Sequence, residues 1–147
     1  MTRPALRLRL PSDSALLGMV RDVAQRVAEA VGFEEGTARN IALAVDEAVT
    51  NAIEHAYGGR PDHEVEVRFM DDGETLRVEV ADRGATLDPK SLPEVDLRRY
   101  AREGRTGGLG VHLMERIMDS VTFTRNRGRN LCCLVKHKGR IHATNGD

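Results

Sequence analysis

Two stretches of this chain alternate apolar and polar residues on both sides of a tight turn, and that pattern limits the possible folds most. Val65, Val67 and Phe69 sit between charged neighbours, Asp71-Asp72-Gly73 supplies a turn, and Leu76, Val78 and Val80 resume the alternation. Side chains alternate faces along a strand, so this is a hairpin with one buried face. A second hairpin closes the pattern: Val121 to Arg125, a turn at Asn126-Arg127-Gly128, then Leu131 to Lys136. Leu6, Leu8 and Leu10 alternate with Arg7 and Arg9 and predict one more half-buried strand, near a sheet edge and stopped by Pro11.

Elsewhere the apolar period is helical. Ser12, Asp13 and Ser14 offer N-caps. Leu16, Val20, Val23, Val27 and Val31 then recur at helical spacing until Gly32. A second helix is expected from Glu34 or Thr37 to about Tyr57, closed by Gly58-Gly59. A third, bearing Val111, Met114, Ile117 and Met118, opens at Gly107-Gly108-Leu109-Gly110. The order is strand, helix, helix, hairpin, loop, helix, hairpin. Three amphipathic helices on one face of a mostly antiparallel, mixed sheet make an α+β, two-layer α/β sandwich. With 147 residues and no internal linker or repeat, residues 1–137 read as one domain and 138–147 as a polar tail. From Arg83 to Thr106 the periodicity breaks down around Pro89 and Pro93, with at most a short helical piece near Val95 to Ala101. Long loops in compact domains are functional or disordered.

Composition excludes several roles. Aromatics are 3% of the chain, too few for a base-stacking platform on single-stranded nucleic acid. Lys plus Arg is 22 against 23 Asp plus Glu, whereas phosphate-backbone binding needs a basic excess. No apolar run approaches the roughly 20 residues of a membrane span, and the N-terminus lacks the apolar stretch of a signal peptide. Cys132 and Cys133 are adjacent, so in a strand they face opposite ways and neither a disulfide nor a shared metal is expected. These features point to a reduced, cytoplasmic protein without membrane or direct nucleic-acid partners.

Polar residues gather at three places. On the second helix Ile41, Val45, Ala48, Ala52 and Ala56 form the core face. Glu47 and Asn51 stand one turn apart on its flank, with His55 a turn further and nearer the core. Alone, that stripe reads as a solvated flank with an i,i+4 pair and a hydrogen-bonded border histidine; as a cleft edge it would place three polar groups together. Asp46 points away and is expected to be a surface charge. Asp82-Arg83-Gly84 follows a strand end, where a partly buried carboxylate needs a donor; alone it also fits a simple turn. Gly107, Gly108 and Gly110 lead into a helix whose free N–H groups favour phosphate. They equally fit a flexible hinge, and they form neither a P-loop nor a dinucleotide fingerprint.

In this order, Asp46-Glu47-Ala48-Val49-Thr50-Asn51-Ala52-Ile53-Glu54-His55-Ala56-Tyr57, Asp82-Arg83-Gly84 and Gly107-Gly108-Leu109-Gly110 resemble the N, G1 and G2 boxes of one ATPase superfamily. It includes gyrase, heat-shock chaperone ATPases, histidine kinases and mismatch-repair ATPases, and the wording is most similar to the bacterial anti-sigma-factor serine kinases. The resemblance covers about Leu6 to Lys136 and implies the same two-layer fold.

It also implies roles. Asn51 would hold Mg²⁺ bridging the ATP phosphates, with His55 beside it at the nucleotide. Glu47 would be general base toward the attacking hydroxyl. Asp82 would accept from the adenine amino group, with Gly84 shaping the turn. Gly107, Gly108, Leu109 and Gly110, preceded by Arg105 and Thr106, would frame the phosphates, and residues of about 85–106 would be the ATP lid. Thr86 stands where the G1 pattern has its second glycine, and Asn130 or Cys132 stands where a late-hairpin threonine helps bind adenine. No phosphoacceptor histidine helix precedes the boxes. The implied function is an ATP- and Mg²⁺-dependent serine/threonine protein kinase. It would act on an anti-anti-sigma-like regulator and sequester a sigma factor, as a homodimer. The rivals are a module that captures a partner without phosphotransfer, and an ATP-binding switch in another signalling system.

Overall fold

A computed structural model describes residues 3–56, 63–83 and 107–139. Its five strands are β1 (Arg3–Pro11), β2 (Glu64–Asp71), β3 (Thr75–Asp82), β4 (Ser120–Asn126) and β5 (Arg129–His137). Its α-helices are α1 (Leu17–Ala30), α2 (Glu35–Asn51) and α3 (Gly107–Ile117). The strands form one sheet in the order β1-β2-β3-β5-β4, and every neighbouring pair is antiparallel. β1 lies at one edge, as its amphipathic alternation suggests.

Turn chemistry fixes the hairpin registers. Between β2 and β3, the Asp72 carboxylate accepts from the backbone N–H groups of Glu74 (2.9 Å) and Thr75 (2.7 Å), and Gly73 takes φ 94°. Between β4 and β5, Arg127 (φ 53°) and Gly128 (φ 78°) form a two-residue loop. Two positive φ angles give a turn whose twist matches that of the strands.

The register turns Val65, Val67, Phe69, Leu76, Val78, Cys132 and Leu134 toward the helices, where they are buried in one core. Phe69 is fully buried, and truncating such a ring to Ala costs about 3–5 kcal/mol. Cys132 joins this core, whereas Cys133 pairs across the strands with Glu79 and Thr122. The two thiols are free and buried, on opposite faces as their adjacency requires. In α1 the deepest residues are Val20, Ala24 and Ala28, while Val23, Val27 and Val31 pack at the core margin. Small side chains at i, i+4 spacing let α1 approach α2 closely.

α2 is the central element, packed on α1, α3 and the sheet. It is therefore buried well beyond its expected stripe: Ala38, Ala42, Ala44 and Val49 are as inaccessible as Ile41 and Val45. Asp46 corrects the sequence reading. It is only 7% exposed and pairs with Arg21 of α1, because α1 covers the face of α2 that a single core stripe would leave in water. The helix does not run on regularly to Tyr57. After Asn51 it widens into a π-helical turn, Ala52–Ala56, a feature common at functional sites. Tyr57, Gly58 and Gly59 lie outside the described residues, as do the expected helical piece near Val95 to Ala101 and most of the tail.

Candidate active site

The end of α2, the end of β3 and the start of β5 meet at one pocket. Ala48, Asn51, Ala52, Val80, Asp82, Phe123, Thr124, Asn130, Leu131 and Cys132 line it. Two of the box residues, Asn51 and Asp82, thus share a cavity although 31 positions separate them. Asn51 is 4% exposed, and its Nδ2 has no hydrogen-bond partner among the described residues. A buried amide left without a partner costs about 1–3 kcal/mol, so a ligand that satisfies it recovers that cost.

Asp82 ends β3 at 8% exposure. The register sets it opposite Asn130 of β5, whose Nδ2 donates to Asp82 Oδ1 at 2.8 Å. Arg125 of β4 in turn donates from Nη1 to Asn130 Oδ1 at 3.0 Å. The carboxylate thus has the donor its position demanded, and the donor is one of the two residues, Asn130 and Cys132, in the region where the resemblance expects a late-hairpin threonine. The sequence placed Asn130 in this region; the signal for its contact with Asp82 is a polar residue on the same strand face as the core residues Cys132 and Leu134.

Glu47 lies on the neighbouring flank of α2, half-buried against the first turn of α3. A Cβ built on Gly110 would stand 2.5 Å from Glu47 Oε2, so the glycine is what lets the helix start pass the carboxylate. Partial burial holds the Glu47 pKa above its usual value, the adjacent Asp46 and Glu54 add to this, and Arg21 opposes it. A carboxylate of raised basicity at a helix start is suited to accepting a proton.

Gly107, Gly108, Leu109 and Gly110 form the first turn of α3, as the glycine run implied. The backbone of His55 is in the π-helical turn; its side chain, like that of Leu109, lies outside what is described. Gly84, Arg105, Thr106 and the expected lid of about 85–106 also lie outside the described residues. Asn51, Asp82, Glu47 and Gly110 are therefore the expected site residues that the structure brings to one end of the sandwich. Among the described residues, no three His, Cys, Asp or Glu side chains converge to hold a metal ion. A divalent ion here would need further oxygens, which nucleotide phosphates provide.

Comparison with known proteins decides the lineage. The histidine kinase-like ATPase domain family matches residues 10–136. The chain is 35% identical over 130 residues to the serine-protein kinase RsbW of Bacillus pumilus, covering 84% of this chain and 80% of that one. The chain belongs to the histidine kinase-like ATPase family, among the RsbW serine-protein kinases. It is 34% identical to the RsbW of Bacillus velezensis over 84% of its length and 79% of the relative's. A solved structure of the RsbU and RsbW domains of Rv1364c from Mycobacterium tuberculosis superposes with TM-score 0.65 at 19% identity. It covers 91% of this chain and 32% of that one, and shows the fold. This is the branch that the three boxes resemble, and membership makes the chain a serine/threonine protein kinase that uses ATP. No described helix is long and apolar enough to cross a membrane.

Proposed function

We propose that this kinase transfers the γ-phosphoryl group of ATP to a serine or threonine hydroxyl of a small anti-anti-sigma-like regulator, and that it also captures a sigma factor. It would work in the cytoplasm as a homodimer, without nucleic acid or membrane as a direct partner. The observation that carries this reading is the shared pocket, which Asn51, with its Nδ2 unpartnered among the described residues, and the Asp82 carboxylate both line.

In this reading Asp82 accepts a hydrogen bond from the adenine amino group. The first-turn N–H groups of α3 receive the phosphates, where the positive end of the helix dipole favours negative charge. The Asn51 side-chain oxygen would suit Mg²⁺, a hard cation that prefers oxygen ligands, while its buried, unpartnered Nδ2 is a donor suited to a phosphate oxygen. When bound, Mg²⁺ neutralises phosphate charge. Glu47 takes the proton from the acceptor hydroxyl as its oxygen attacks phosphorus and the bond to the ADP oxygen breaks. The residues of about 85–106 would close over the nucleotide.

The test is incubation with γ-labelled ATP, Mg²⁺ and small regulatory proteins carrying a candidate serine. Label should move to a serine or threonine of one of them and should not with Glu47→Gln. Tight capture of a partner with no label transferred from bound ATP would refute the proposed reaction.

A further inference from the structure

We infer that Arg125 is a positioning residue for recognition of the base, acting through Asn130 on Asp82. This rests on the nucleotide reading above and extends it to a residue outside the three boxes. Three side chains from three neighbouring strands form a chain of hydrogen bonds: Arg125 Nη1 to Asn130 Oδ1 at 3.0 Å, and Asn130 Nδ2 to Asp82 Oδ1 at 2.8 Å. Asn130 and Asp82 are 7% and 8% exposed and both line the pocket with Asn51.

The direction of the chain follows from donor and acceptor chemistry. A guanidinium can only donate, so it selects the oxygen end of the Asn130 amide and turns the NH₂ end toward Asp82. A carboxylate can only accept, so it enforces the same orientation from the other side. One Asp82 oxygen is thereby fixed by a donor whose own orientation is fixed from outside the pocket. Bonds to charged groups are the stronger ones, and linked bonds polarise one another in a low-dielectric setting. The Asp82 carboxylate is held in one rotamer as an acceptor. That favours a base edge carrying an N–H donor, as adenine does at its 6-amino group, over guanine, which places an oxygen there. A threonine would have only its hydroxyl for this task, whereas the longer amide reaches both the carboxylate and the arginine.

The test is nucleotide binding to the full chain, comparing ATP, GTP and the triphosphate of unsubstituted purine riboside, which lacks the 6-amino group. Arg125 is exposed at its outer side, so Arg125→Ala should fold normally. It should weaken ATP about three- to tenfold, the range for loss of one supporting hydrogen bond, and should change the purine analogue much less. The preference for ATP over the analogue then shrinks, and Arg125→Lys, which keeps a donor, should restore it. A merely structural arginine would leave that preference intact. An unchanged ATP affinity in Arg125→Ala, or an equal loss for all three nucleotides, overturns the inference. If the unsubstituted chain binds none of them, the nucleotide reading falls first and this inference with it.

Discussion

Replacing Gly110 with Ala should separate stability from catalysis. The added Cβ would stand 2.5 Å from Glu47 Oε2, 3.4 Å from Glu47 Cδ and 3.7 Å from Glu47 Cβ. Only the carboxylate end collides; the contact with Glu47 Cβ is ordinary, so neither helix backbone has to move. A comfortable carbon–oxygen contact is about 3.4 Å, so the carboxylate must retreat by about 1 Å. Turning a side chain partly off its rotamer costs about 0.5–1.5 kcal/mol, while Ala in place of Gly within a helix gains about 1 kcal/mol. The two nearly cancel. Unfolding free energy should stay within about 1 kcal/mol of the parent, a melting shift of at most about 4 °C for a domain of this size.

Phosphotransfer should suffer far more. Misplacing a reacting group by about 1 Å can slow a reaction by about 10²-fold, equivalent to about 2.7 kcal/mol of barrier. The assay is single-turnover transfer from pre-bound Mg-ATP to acceptor, beside nucleotide titration and thermal unfolding. Affinity should hold within a few-fold, since Ala keeps the backbone N–H. The substitution should also add little to Glu47→Gln, because both act on one group. Transfer at the parent rate in Gly110→Ala would refute the role of Glu47 as base. A stability loss above about 3 kcal/mol would show that the backbone yields instead.

Glu47→Gln should bind Mg-ATP normally and lose transfer by about 10²–10⁴-fold, whereas Asn51→Ala should weaken Mg²⁺-dependent binding and transfer together. Asp82→Ala should lose preference for ATP over GTP while still folding, checked by titrating both nucleotides. The Glu47 pKa is raised, so transfer should decline as pH falls through a value above the ordinary glutamate range. The same raised pKa makes the folded state the stronger proton binder, so this group's contribution to stability falls as pH rises from the ordinary value to the folded one. Arg21→Ala removes a charge that opposes the shift, so the acid limb of the rate profile should move to higher pH. Burial, more than its neighbours Cys133 and Asp82, pushes the Cys132 thiol up to about 12, so alkylation at neutral pH should be negligible until the chain is unfolded.

The strands and hairpins were legible because period-two alternation and turn residues are local signals. Val65 to Val80 specifies a hairpin whether or not anything covers it, and Arg127-Gly128 specifies its own turn. The order of strands is not local: that β5 inserts between β3 and β4 depends on the whole core, and it is this insertion that sets Asn130 opposite Asp82. The bond between them, and its extension to Arg125, could not be read from spacing before the register was known.

The misreading of Asp46 has the same origin and explains why the site sits where it does. A helical wheel with one apolar stripe assigns the remaining faces to water, but α2 is covered by the sheet, α1 and α3 together. Enclosed on several sides, it can carry polar residues only where each meets something. Asp46 meets Arg21 on α1, and Glu47 meets the start of α3 at Gly110, which has no side chain to obstruct it. Asn51 reaches the pocket beside Asp82, where no described protein group satisfies its amide nitrogen. Of the three, Asp46 is held through Oδ2 by an ion pair, although its Oδ1 has no partner among the described residues, and Glu47 is held by packing, while Asn51 is the one whose unmet demand, at Nδ2, lies on a residue that lines the pocket. The ion pair and the position outside the pocket separate Asp46, a structural charge, from Asn51, which lines the cavity of the nucleotide reading. Arg21→Ala should accordingly destabilise the chain, by about 1–3 kcal/mol for a buried carboxylate left short of its donor. Asn51→Ala, which removes an unsatisfied group, should leave the free protein as stable or more so. If chemical denaturation finds Asn51→Ala the more damaging of the two, the amide is structural and its place in the nucleotide site is wrong.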